Sequence, residues 1–200
     1  MSKYSLITLL ILFSLQFLLA TSIQQSYLAE ANGDYAGAIT HMQKLLRDEP
    51  TEVFYSMRTA WLYYLLGSYQ EALNLYQQSL SRLDHLDAHL GIINCQLALG
   101  QWDQALASSQ KVLPTNSQNT ILLSKAAYAA FMNKAYGTAA DYFGFIVASS
   151  PWDLENRGYW VNNLYLSGNL SEAKKQYRIL KKYHPDSQIV LDLQKALDTP

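Results

Sequence analysis

Apolar and polar positions along this chain follow two periods at once, the short one of a helix and a long one of about 34 residues. Alanine stands at 38, 72, 105, 139 and 173. Four residues after each alanine comes Met42, Tyr76, Ser109, Phe143 or Tyr177, on the same face of a helix. Three residues before each alanine comes Tyr35, Tyr69, Trp102, Tyr136 or Leu170. Glycine precedes that position by two at Gly33, Gly67, Gly100 and Gly168, with Lys134 in the remaining place. A breaker region closes the series at Pro50, Asp84, Ser117, Pro151 and Pro185. The unit is therefore a helix, a turn at the glycine, a second helix and a stop. Pro114 ends its helix early and predicts a longer loop through Asn119. After Pro185, the apolar positions Ile189, Val190, Leu193, Ala196 and Leu197 predict a last helix over Gln188 to Leu197.

A single hairpin of this size buries too little apolar surface to fold alone, whereas stacked hairpins share a core. The recurrent alanine lets two helix backbones approach, and the glycine permits the left-handed conformation that ends a helix. The order of small residue, turn Gly, aromatic, Ala, aromatic and breaker resembles the tetratricopeptide repeat. Residues Ala60, Gly67, Tyr69, Ala72, Tyr76 and Leu80 are the clearest copy. The resemblance implies an all-α, right-handed superhelical solenoid of about five helical hairpins plus a C-terminal capping helix, spanning residues 23–200. It also implies a binding protein, with groove positions nine, six and three residues before each turn.

Those positions supply Arg58, Trp61, Tyr64, Asn94, Lys125, Tyr128, Phe131, Tyr159, Asn162 and Tyr165 as the candidate partner-binding groove. Aromatics and amides with few charges match the composition of binding hot spots, and each aromatic is equally consistent with packing between helices. Some proteins of the resembled family grip a C-terminal carboxylate with cations one helical turn apart. Arg58 and Lys125 have no such neighbours, because the residues four away are Phe54, Leu62, Ile121 and Ala129.

The N-terminal segment has a different pattern. After Lys3, Leu6 to Ala20 is apolar except at Thr8, Ser14 and Gln16, which predicts a secretory signal or membrane anchor over residues 1–22. Cleavage would fall after Ala20 or Ser22. Alternatively residues 4–20 attach the chain to the membrane. Either outcome places the repeats outside the cytoplasm, periplasmic, secreted or anchored.

Composition narrows the function further. The net charge is -1 and charged residues make up 16% of the chain, so the basic face required by nucleic acid is missing. Cys95 is the only cysteine and sits among Ile92, Ile93 and Leu97 as a small buried hydrophobe. Phosphate loops, nucleophile elbows and HExxH are absent, and no cofactor is implied. Asp84, His85, Asp87 and His89 have metal-ligand chemistry but span a repeat junction, with His85 expected at a helix C-terminus and Asp87 as the next cap. The expected function is a non-enzymatic scaffold of the cell envelope that binds a protein or peptide. Self-association through the end repeats into a homo-oligomer is the alternative, and a carbohydrate-binding groove is the weaker one.

Overall fold

The computed structural model describes residues 22–198. The expected export signal or anchor over residues 4–20 lies outside them. Among the described residues no helix is long and apolar enough to cross a membrane.

The described residues are helical, without strands. The first helix, α1, is described over 22–31. There follow α2 (Tyr35–Asp48), α3 (Val53–Leu65), α4 (Tyr69–Arg82), α5 (Leu86–Ala98) and α6 (Trp102–Val112). After a 3-10 turn at Leu113–Thr115 come α7 (Thr120–Met132), α8 (Tyr136–Ser149), α9 (Leu154–Leu166), α10 (Leu170–Tyr183) and α11 (Gln188–Leu197). Contacts divide the chain into two compact units, Met1–Cys95 and Gln96–Pro200. Within each unit, helices pack on their neighbours in chain order, which is the expected all-α hairpin architecture.

In the first unit, Met42, Leu45 and Leu62 join α2 to α3, and Ala60, Ala72, Tyr76, Ile92 and Cys95 continue the core through α4 and α5. In the second, Leu123, Ala127, Phe143 and Ile146 join α7 to α8, while Val161, Ala173, Tyr177 and Leu180 join α9 to α10. Helix α11 covers the end of that core with Val190, Leu193 and Leu197, over the residue range predicted from its apolar positions. The recurrent alanines Ala38, Ala72, Ala105, Ala139 and Ala173 are all 0% exposed. Every residue at the next recurrent position, from Met42 to Tyr177, is also buried.

Each first helix ends with the same pair of backbone bonds. Gly67 N–H donates to the Tyr64 carbonyl at 3.0 Å and Ser68 N–H to the Tyr63 carbonyl at 2.9 Å, which is the Schellman arrangement. Lys134 makes the same pair, donating to Phe131 while Ala135 donates to Ala130, both at 2.9 Å. It adopts φ 60°, the left-handed conformation that the four glycines adopt at the equivalent turns. A side chain in that region costs about 1–2 kcal/mol, part of which a glycine returns as lost chain entropy. Lys134→Gly is therefore expected to raise stability by roughly 0.5–1 kcal/mol in urea unfolding. A loss of stability would show that the lysine is held there by contacts of its own.

Two local expectations change. His85 does not sit at a helix C-terminus, because Leu83 ends α4 with extended backbone at φ -142°. The chain leaves the helix before His85, whose carbonyl then accepts the Ala88 and His89 N–H groups at the start of α5. His85 is thus the N-cap, its Nδ1 accepting the Asp87 N–H at 3.2 Å, and Asp87 lies in the first turn. The Asp84 carboxylate is 2.7 Å from His89 Nε2 and the Asp87 carboxylate 3.5 Å from His85 Nδ1, two separate pairs at the junction between hairpins. Cys95 is buried as expected, and burial pushes its thiol up to about 12.

Candidate functional site

The register that buries the alanines turns another stripe of the first helices outward. On α3, Phe54, Arg58 and Trp61 are spaced four and three apart and so share a face. With Met57, Tyr76, Leu83, Leu90, Gly91 and Asn94 they line a cleft of about 600 Å³. Gly91 makes room for its floor: a Cβ there would stand 2.5 Å from the ring of Tyr76. Burial raises the Tyr76 phenol well above its ordinary value.

One end of this cleft is electrostatically closed. Arg58 pairs with Glu30 of α1, and its guanidinium lies 4.0 Å from the centroid of the Tyr27 ring. Trp61 Nε1 donates to the same carboxylate at 3.0 Å. Burial alone would raise the Glu30 carboxyl, but the hydrogen bonds from Arg58 and Trp61 and the Arg58 charge outweigh it and hold the group below its ordinary value. The sign of the linkage follows. The ion pair contributes stability above the unfolded carboxyl's value and loses it as the pH falls through the lowered folded value. Wild type is expected to lose stability relative to Glu30→Gln as the pH falls below about 4, and the difference levels off once Glu30 is protonated in both states. Parallel acid-limb curves in thermal unfolding would show that Glu30 is not coupled to folding.

In the second unit the same register builds another cleft. Tyr128 and Phe131 of α7, Phe143 of α8 and Tyr159 and Asn162 of α9 line a space of about 480 Å³ with Ser124, Glu155, Asn156 and Asn163. Tyr159 and Phe143 lie 5.4 Å apart between centroids, and the Tyr128 ring takes an edge contact from Trp102 at 5.8 Å. The Tyr159 hydroxyl donates to Glu155 at 3.1 Å. That bond, then burial and the carboxylate charge, raises the phenol above its ordinary value. Asn163 is 2% exposed and donates to the Tyr159 carbonyl at 2.8 Å, while its Oδ1 has no hydrogen-bond partner.

The candidate groove residues therefore fall into separate groups. Arg58, Trp61 and Asn94 line the first cleft, and Tyr128, Phe131, Tyr159 and Asn162 line the second. Tyr64, Lys125 and Tyr165 line neither. Tyr64 stacks on Trp61 at 5.8 Å and also contacts the Tyr69 ring, whereas Tyr165 packs against the core of the second unit. Lys125 is half-buried, and burial lowers its ammonium below the ordinary value. Sequence reasoning missed Phe54 and Glu155, although both stand one helical turn before the nine-residue position on the same stripe. Glu30 stands three residues before its turn glycine, and nothing in the sequence marks its pairing with Arg58.

The repeat residues and the stacked helical hairpins give the chain the tetratricopeptide repeat fold. A family model described as anaphase-promoting complex, cyclosome, subunit 3, matches residues 31–112. No curated protein matches the chain significantly. Among solved structures, a tetratricopeptide repeat protein from Parabacteroides merdae ATCC 43184 is similar with TM-score 0.76 and 20% identity, over 90% of this chain and 72% of that one. MamA (41-end) from Desulfovibrio magneticus RS-1 is similar with TM-score 0.74 and 13% identity, over 86% of this chain and 97% of that one. YrrB, described as a TPR protein with an unusual peptide-binding site, is similar with TM-score 0.73 and 15% identity, over 87% of this chain and 90% of that one.

Proposed function

We propose that this protein is a non-enzymatic scaffold that holds a protein or peptide segment against the exposed stripe of its first helices. The observation that carries the reading is that large aromatics recur there without being buried: Trp61 is 39% exposed and Tyr128 46%. Each lies beside a cleft large enough for partner side chains. Exposed Trp and Tyr at the mouth of a preformed cleft are the residues that dominate binding energy at protein interfaces. The peptide-binding site in the description of YrrB supports the same use of the fold. The apolar run from Leu6 to Ala20 supports an envelope location with the repeats outside the cytoplasm.

Affinity capture from soluble and membrane envelope fractions tests this reading, comparing wild type with the Trp61→Ala, Tyr128→Ala double variant. The scaffold reading expects a partner held by wild type and released by the folded variant. Full capture by the folded variant would overturn groove binding. A mass that rises with concentration, with no captured partner, would favour self-association instead.

A further inference from the structure

The cleft of the second unit has a chemistry that the aromatic stripe alone does not explain. Its walls are the rings of Tyr128, Phe131, Phe143 and Tyr159, and its charged group is the Glu155 carboxylate. No cation lines it, and Lys125, beside Ser124 in the chain, is not part of the lining. Asn163 also lines the cleft: its Oδ1 is buried without a partner, and one N–H of its amide donates to the Tyr159 carbonyl. A buried acceptor left unsatisfied costs free energy and calls for a donor. Aromatic faces, a carboxylate and a spare carbonyl together favour a cation that carries several N–H donors.

The first unit shows such a cation in place. Tyr27 stands six residues before its turn glycine and Arg58 nine residues before the next one, and the guanidinium lies 4.0 Å from the ring centroid with Glu30 holding its charge. In the second unit Tyr128 holds the position of Tyr27, but Tyr159 occupies the position of Arg58. The carboxylate comes instead from Glu155, one helical turn before Tyr159. The aromatic and acidic parts of the arrangement are present there and the arginine is not.

We infer that this cleft is a recognition pocket for an arginine side chain presented by the bound protein or peptide. The inference rests on the scaffold reading and adds what the pocket selects. A planar guanidinium stacks on tyrosine and phenylalanine rings and donates in a fixed fork, which suits Glu155 and Asn163 better than a compact ammonium does.

The test uses capped nine-residue peptides of Gly, Ser and Leu with a central arginine, its uncharged isostere citrulline, or glutamate. Each is titrated into the full chain while the side-chain amide resonances of asparagine are followed. The arginine peptide is expected to shift Asn163 and to bind about fivefold or more tighter than the citrulline peptide, with the glutamate peptide weakest. Glu155→Gln, an exposed and conservative change, should bring the arginine peptide down to the citrulline level, whereas Gln77→Ala on the exposed face of α4 should leave the ratio unchanged. Equal binding of arginine and citrulline peptides, no shift at Asn163, or indifference to Glu155→Gln would overturn the pocket. The scaffold reading fails separately. A captured partner released by the Trp61, Tyr128 double variant but unaffected by Glu155→Gln sinks the arginine pocket and leaves the scaffold standing.

Discussion

Leucine at Ala72, Ala105 or Ala139 lowers the stability of the fold by about 1–3 kcal/mol in each case. All three alanines are 0% exposed, at the recurrent position where one helix of a hairpin crosses its neighbour. Three added heavy atoms find no void in a packed interior, so a helix backbone or several rotamers must move. Gln77→Ala, on the exposed face of α4, is the control and should stay within about 0.5 kcal/mol of wild type. Urea unfolding of the four variants checks this. Leucine variants as stable as the control would mean that the hairpins do not meet at these alanines.

The second large effect is on binding. Changing Trp61 and Tyr128 together to alanine should weaken partner capture by about 2 kcal/mol or more, roughly thirtyfold. The competing possibility is that both rings are core, in which case each truncation would cost about 3–5 kcal/mol and the fold would be lost first. Their exposure argues against that. Trp61 is 39% exposed and donates to Glu30, and Tyr128 is 46% exposed with its ring 5.8 Å from that of Trp102. Circular dichroism should therefore show an unchanged helix content and cooperative melting in the double variant. A variant that unfolds would assign the two rings to the core.

The parts of the fold set by repetition were legible because a periodic sequence states each requirement several times. Lys134 shows how far this goes. Its residue type argues against a left-handed turn, yet the four glycines around it predict one, and φ 60° is what the backbone adopts. The stack overrides the local preference because both helices of that hairpin are fixed by buried neighbours such as Ala130 and Ala139. Features that occur once were not legible. The junction at His85 was misplaced by one helix end, since a histidine beside an aspartate suits either a C-terminus or a cap. Deciding between them required knowing that Leu83 leaves the helix.

The candidate site was legible as a stripe but not as two clefts. Counting back from the turn identifies side chains that share a helix face, and it found Trp61, Tyr128 and Tyr159. It does not report which neighbours fill the space between. Arg58 looked like a free groove cation until Glu30 was seen to neutralise it, a pairing across 28 residues that no local rule anticipates. Asn163 was invisible for the opposite reason. It occupies a buried position among apolar ones, and only its unpartnered Oδ1 distinguishes it from a satisfied core amide.

The central claim is that the first helices carry the partner, and amide hydrogen exchange of the chain with and without its captured partner tests it most directly. The account predicts added protection in α3, α5, α7 and α9, strongest around Trp61, Tyr128 and Tyr159, with α4, α8 and α10 unchanged. Protection confined to those second helices, or to the turns between them, would contradict it.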